Sequence, residues 1–292
     1  MNNSIFLGYD QDTLDSEYGK YSDPTAAEEA IYRWEKRSKD ARSELNCRLD
    51  IPYGPSNSET LDVFLATSPN PAPINVFFHG GYWKSLHKDG FSYVAYGLHE
   101  DGGITIVVNY ALVTEVGFNE LVRQCQKALA WIWINADSFG GDRNQLFVSG
   151  HSAGGHLVGM MMATNWPAFD PALPVQPIRG GFGISGLYDL EPIRLSFLNE
   201  DLKLTDKDAE RNSPAKLERM CLSPLILAVG AKESKGFHRQ TVGLANAWKK
   251  CGESPELLVM PDHDHFSIAT QLGDRKSDLS QKIHAQMGLK HP

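Results

Sequence analysis

The spacing of apolar positions changes character along the chain. Asp23-Pro24 opens a charged stretch in which Ile31, Trp34 and Leu45 are the apolar anchors, with Glu28 and Glu29 in its first turns. Proline at a first helical position, followed by early acids, marks a helix start, so the pattern predicts an amphipathic helix over 25–43. Two short strand patterns follow, 45–51 and 60–66, separated by Pro52-Tyr53-Gly54-Pro55. They predict an antiparallel hairpin. From Ile74 short apolar runs alternate with helix-length segments. Strands are predicted at 74–78, 104–109, 146–148, 178–184, 225–230 and 256–260, and helices at 91–100, 118–136, 157–163 and from Phe266 to about Met287. Such alternation predicts a mostly parallel, doubly wound α/β sheet covered on both faces. Two stretches interrupt it: the Pro-rich 166–177, expected as a loop, and the polar 187–219, expected as a small helical cap. Inserts in such a sheet sit above the strand C-termini, where ligands bind. The expected organisation is an N-terminal helical segment, 1–44, packed on one α/β domain, 45–292.

Composition narrows the setting. The chain has 292 residues, 41% hydrophobic and 22% charged, in the range of a globular protein with a full core. Its net charge of −8 argues against nucleic acid and anionic membrane as partners. No apolar run reaches the roughly 18 residues of a membrane span. The first residues carry neither the basic nor the apolar part of a secretory signal. Cys47, Cys125, Cys221 and Cys251 are widely spaced without a Cys-x-x-Cys pair, which suits reduced thiols in the cytoplasm. The expected partner is a small-molecule substrate, and a homodimer is left open.

The chemistry centres on Gly150-His151-Ser152-Ala153-Gly154, which follows the strand pattern 146–148 and precedes a helix pattern. A serine on a tight strand-to-helix turn stands clear of the sheet, and small residues on either side let strand and helix approach. Strand before and helix after lift this pattern above a chance match in a loop. Serine needs a base, a group to orient the base, and donors for an oxyanion. The base is sought after the last strand, where Pro261-Asp262-His263-Asp264-His265-Phe266 offers two histidines. His265 directly precedes the final helix and is the expected base, with His263 its rival. The orienting acid is sought after strand 225–230, where Glu233 is the carboxylate at hand and Asp262 and Asp264 are the alternatives. The oxyanion donors are expected from the backbone amides of Gly81 and Tyr82, in His79-Gly80-Gly81-Tyr82-Trp83, and of Ala153 at a helix N-terminus. Trp83, Tyr188, Tyr18 and Tyr21, with His151 beside the serine, are candidates for binding a flat, partly apolar substrate. His79 and His156 are expected to shape the site rather than react. A metal site on His263-x-His265 finds no third, separated ligand and leaves Ser152 unexplained. A non-catalytic binding protein on the same fold would lack a triad member, and every role here has a candidate.

His79–Trp83, Gly150–Gly155 and Ser185-Gly186-Leu187-Tyr188-Asp189-Leu190-Glu191-Pro192 together resemble the serine-dependent arylformamidases (kynurenine formamidases) of the α/β-hydrolase fold. Val108-Asn109-Tyr110, His265-Phe266 and the stretch from Glu233 to Gln240 also match, so the resemblance spans roughly 45–285. It implies hydrolysis of N-formylkynurenine to kynurenine and formate through a formyl-enzyme, with no metal or other cofactor. Relatives with these motifs also include esterases and amidases acting on other small substrates. One departure stands out: the family commonly carries aspartate where this chain has Glu233, one methylene longer with the same charge.

Overall fold

The computed structural model describes residues 4–19, 23–67, 71–251 and 254–289. Eight strands form one sheet: β1 Cys47–Pro52, β2 Thr60–Phe64, β3 Ala72–Phe78, β4 Ile104–Val108, β5 Gly141–His151, β6 Gly180–Ile184, β7 Leu225–Gly230 and β8 Glu256–Met260. Their spatial order is β1-β2-β4-β3-β5-β6-β7-β8. The first hairpin and the β2–β4 pair are antiparallel, and every later pair is parallel. Strands buried on both faces need apolar side chains on both, which is why they read as unbroken apolar runs. Ile74, Val76 and Phe78 of β3 join Leu146 and Val148 of β5 in one core, while Phe77 and Phe147 point into the other, with Trp34 and Phe182.

Helix α1, Gln11–Glu17, was not visible in the apolar pattern; helix α2, Pro24–Glu44, begins at Asp23, whose side chain accepts from Thr25 N. Helix 118–135 covers one face, and helix Ala153–Ala163 follows β5. Helix Lys235–Trp248, also not marked by the apolar pattern, joins β7 to β8 and buries Phe237, Leu244 and Trp248. The segment expected as a helix over 91–100 is instead 3-10, Lys88–Gly97 and then His99–Asp101. Its C-terminal end packs closely on the end of the chain: a Cβ at Gly97 would lie 2.2 Å from the Leu272 carbonyl oxygen. The expected C-terminal helix is broken into Ser267–Thr270 and Asp278–Met287, the second capped by Ser277, whose hydroxyl accepts from Ser280 N. The 187–219 insert is a chain of one- and two-turn helices, and 166–177 contains the single turn Trp166–Phe169. All four cysteines are free. No helix among the described residues is long and apolar enough to cross a membrane.

The N-terminal helices are tied to late parts of the chain. Trp34 Nε1 donates to Thr270 Oγ1 at 3.0 Å, and Arg37 donates to the Gly273 carbonyl at 2.9 Å. Glu17 takes the amide of Gly236 on its carboxylate and the hydroxyl of Ser234 on its carbonyl.

Candidate active site

Chain order reverses around β3, which has β4 on one side and β5 on the other. Crevices form outside the strand C-termini at such a reversal. The pairing of Phe78 with Gly150 ends β3 and β5 at the same level, so the loops after them lie side by side. Ser152 follows β5 in a left-handed conformation, φ 58° and ψ −122°, rare for a residue with a side chain. The turn closes only because its neighbours are glycines: a Cβ at Gly150 would lie 2.3 Å from the Gly154 carbonyl oxygen, and one at Gly154 only 1.9 Å from that of Phe78. A Cβ at Gly80 would lie 3.2 Å from that of Ser152, so the loop after β3 runs against the serine. Gly81, Tyr82 and Trp83 then take three successive left-handed conformations, with φ of 107°, 49° and 57°. Among the described hydrogen bonds none takes up the amides of Gly81 and Tyr82, and Ala153 N sits at the first position of its helix, where no intrahelical acceptor exists.

The histidine and the carboxylate meet at the ends of β7 and β8. His265 Nδ1 lies 2.7 Å from Glu233 Oε2. The other carboxylate oxygen, Oε1, accepts from Ser185 Oγ at 2.5 Å and Gly230 N at 2.7 Å. The Glu233 side chain is 0% exposed. Burial pushes its pKa up, but the neighbouring His265 and the donated hydrogen bonds outweigh it and hold the group below the usual carboxylate value. The longer glutamate is thus accommodated with every carboxylate contact made. The alternatives are occupied elsewhere. Asp264 accepts from the amides of Phe266 and Ser267, and exposed Asp262 stands 3.4 Å from Lys232 Nζ. The His263 carbonyl accepts from Lys232 N, and its ring is not in the cavity described next.

Ser152 and His265 line one cavity of about 190 Å³, together with Gly80, Gly81, Tyr82 and His151. His151 is 3% exposed, its ring centroid is 4.6 Å from that of His265, and its Nε2 has no partner among the described residues. Burial, and next the neighbouring His265, push its pKa down to about 3, so it stays neutral. His79 and His156 are also neutral, pushed to about 4 by burial. His156 accepts from Trp83 Nε1 at 3.2 Å and bonds the Asn212 carbonyl at 2.7 Å, a structural role.

Three aromatic residues expected to bind substrate are not in the cavity wall. Trp83 is 0% exposed, bonded to His156 and tilted against Phe118. Tyr188 is packed over Gly183 and Gly186, where an added Cβ would lie 2.2 and 2.3 Å from its ring or hydroxyl. Tyr18 is buried, with its hydroxyl accepting from Arg239 and Gln240. Tyr21 lies outside the described residues. The wall instead includes Ala27, Ile31 and Trp34 of α2, with Leu86, Phe91 and Phe266. The signal was present in the sequence, since 27, 31 and 34 recur at helical spacing on one face. No residue of the 187–219 insert is in this wall; the cover comes from α2.

A mostly parallel eight-stranded sheet, a serine on a strained strand–helix junction and a carboxylate-bound histidine in the wall of the same cavity define an enzyme of the α/β-hydrolase class. Residues 61–177 match the BD-FAE family model. The chain is 33% identical over 255 residues to kynurenine formamidase of Danio rerio, covering 85% of this chain and 84% of that one. The kynurenine formamidase of Salmo salar is 32% identical over 256 residues, with the same shares covered. A crystal structure of a Silicibacter protein described as a thioesterase superposes with a TM-score of 0.80 at 30% identity, covering 92% of this chain and 97% of that one. The chain belongs to the kynurenine formamidase family, and it is a hydrolase of arylformamidase or esterase type.

Proposed function

We propose that this hydrolase acts in the cytoplasm on small aryl formamides, converting N-formylkynurenine to kynurenine and formate through a formyl-enzyme. The observation that carries the reading is the His265–Glu233 pair at 2.7 Å, with His265 and Ser152 in the wall of the same small cavity. Ser152 Oγ attacks the formyl carbon while His265 Nε2 takes its proton. The amides of Gly81, Tyr82 and Ala153 hold the oxyanion, each worth roughly 3 kcal/mol of transition-state stabilisation. The C–N bond breaks as His265 returns the proton to the leaving aryl amine. Water then attacks the formyl ester, His265 takes its proton, and formate departs as Ser152 is reprotonated. Glu233 fixes the proton on Nδ1 and stabilises the charged ring between these steps. An apolar wall over the aryl group supports a flat ring, and it supports small aryl esters as a second reading.

The test is Ser152→Ala together with wild type on N-formylkynurenine and p-nitrophenyl acetate, with fluorophosphonate labelling. Labelling and turnover are expected to vanish in the variant while its melting temperature is kept. Wild-type rates in the variant would remove Ser152 from the mechanism. A wild-type specificity constant for formylkynurenine below that for generic esters would favour the esterase reading.

A further inference from the structure

Helix α1 supplies no residue to the wall of the Ser152 cavity, yet it is bonded to both loops that build the reaction centre. The last carbonyls of a helix have no donor within it. Here the two loops supply the donors. The Glu17 carbonyl accepts from Ser234 Oγ at 2.6 Å, one residue after Glu233, and the Glu17 carboxylate accepts from Gly236 N. The Tyr18 carbonyl accepts from Tyr82 Oη at 2.9 Å, in the loop after β3. Tyr18 is itself fixed from helix Lys235–Trp248. It is 1% exposed, its hydroxyl accepts from Arg239 at 2.9 Å and Gln240 at 3.2 Å, and its ring meets Phe237 edge-on at 6.0 Å.

Tyr82 needs such a hold. It is the middle of three successive left-handed residues, and a tyrosine keeps φ at 49° only where its surroundings impose it. Its neighbours are held through their backbones: the Gly81 carbonyl accepts from Lys84 N at 3.1 Å and Ser85 N at 3.0 Å, and the Trp83 carbonyl accepts from Val113 N at 2.8 Å. For Tyr82 the described residues show one hydrogen bond, from its hydroxyl to the Tyr18 carbonyl. Burial pushes the pKa of that hydroxyl well above its ordinary value, so it stays a donor.

We infer that α1 is a positioning strap for the oxyanion hole: its Tyr18 carbonyl, fixed against the loop that carries Glu233, holds Tyr82 in the backbone conformation that leaves the Tyr82 amide free for the oxyanion. This rests on the Ser152 mechanism proposed above and adds to it a part that never meets the substrate. Tyr18 thus serves the reaction as a positioning residue, through Tyr82.

Tyr82→Phe removes the bond to the strap and keeps the amide and the ring. Two competitive inhibitors with the same ring read the result. With 2,2,2-trifluoroacetophenone, Ser152 Oγ adds to the carbonyl carbon, the serine proton passes to His265, and the carbonyl oxygen becomes the oxyanion; acetophenone binds without that step. Neither Ki depends on the fraction of folded enzyme. In Tyr82→Phe the trifluoroketone Ki is expected to rise about three- to tenfold, the size of one net hydrogen bond, and kcat/KM for p-nitrophenyl acetate to fall by the same factor. The acetophenone Ki should stay within about twofold, a split that general loosening of the fold would not produce. Tyr18→Phe removes the hold on the other side of the strap and should move the ratio of the two Ki values in the same sense. Because the two bonds act in series, the double variant should be no more than about twofold worse than Tyr82→Phe alone. The strap is overturned if Tyr82→Phe moves both inhibitors alike or neither, if Tyr18→Phe leaves the ratio untouched, or if the two effects multiply. The readouts need only the ester, so a wild type that cleaves p-nitrophenyl acetate but not N-formylkynurenine overturns the formamidase reading and leaves the strap standing.

Discussion

Glu233→Gln keeps the shape of the side chain and changes the hydrogen-bonding character of one atom. In the wild type, Oε1 accepts from Ser185 Oγ and Gly230 N, while Oε2 faces His265 Nδ1. Two donors fix the first position, so the amide oxygen of glutamine must take it and the NH2 group must face His265. Two donors cannot face each other across 2.7 Å. The ring then presents a lone pair at Nδ1 and carries its proton on Nε2, where the serine proton has to go. With the side chain 0% exposed, no solvent route relieves the conflict. Losing the tautomer costs about four decades in kcat where this triad has been dissected, or about 5 kcal/mol. The assay is kcat and KM for formylkynurenine and p-nitrophenyl acetate, with a thermal midpoint alongside. The expected result is a drop of about four decades in kcat with KM little changed. A kcat within tenfold of wild type, at an unchanged midpoint, would refute the reasoning and point to an orienting group other than Glu233. The depressed pKa of Glu233 also sets a sign for stability. Its contribution is present above the ordinary carboxylate value of 4.5 and is lost as pH falls through the lower folded value.

Ser185→Ala removes one donor to the Glu233 carboxylate, a charge-assisted bond worth roughly 1.5–3 kcal/mol. It should lower kcat about ten- to a hundredfold and move the acid limb of the pH–rate profile upward; a purely structural role would leave that limb in place. Gly154→Ala would set a Cβ 1.9 Å from the Phe78 carbonyl oxygen, so the elbow must shift. About 3 kcal/mol or more of stability should go, read as a fall of about 6 °C or more in melting temperature. His79, His151 and His156, pushed to about 4, 3 and 4, refuse protons that the unfolded chain takes up below 6.5. Stability should therefore fall as pH drops below 6.5, by up to about 4 kcal/mol per pH unit while all three stay neutral. Denaturant midpoints that are flat from pH 7 to pH 5 would sink this.

Strand 225–230 is legible to the residue because burial on both faces demands an unbroken apolar run; 256–260 is legible to the residue from its apolar run too, although this edge strand buries only Met260. The serine, carboxylate and histidine could be read because the fold sets their order along the chain and each follows a strand end. Side-chain direction could not. Trp83 sits in the loop that touches Ser152, yet a left-handed backbone, φ 57°, accompanies a ring buried against Phe118. Proximity in sequence to a motif says which residues are near, not which way they face. The α2 wall was hidden for the opposite reason. Its residues lie more than a hundred positions before the elbow, and a helix whose apolar stripe faces a cavity has the same pattern as one whose stripe faces a core. The 3-10 geometry of 88–97 was equally hidden, as was the close approach of the Leu272 backbone to Gly97 from the far end of the chain.

That far end has a temporal consequence. The bonds that seat the N-terminal helices join residues as much as 236 positions apart, Trp34 to Thr270 and Arg37 to Gly273. During synthesis the first helices leave the ribosome long before these anchors exist, and nascent chains grow at only about 5–20 residues per second. At that pace the 236 residues between them take about 12 to 47 s, so α2 can settle early on 88–97, where Trp34 stands 5.7 Å from Phe91, but its latches to Thr270 and Gly273 come last. The reactive serine can be in place before the roof is latched, while β8 completes the sheet only about ten residues before Thr270. The enzyme thus matures by closing a lid made first with latches made last, and that interval is when a chaperone would find it.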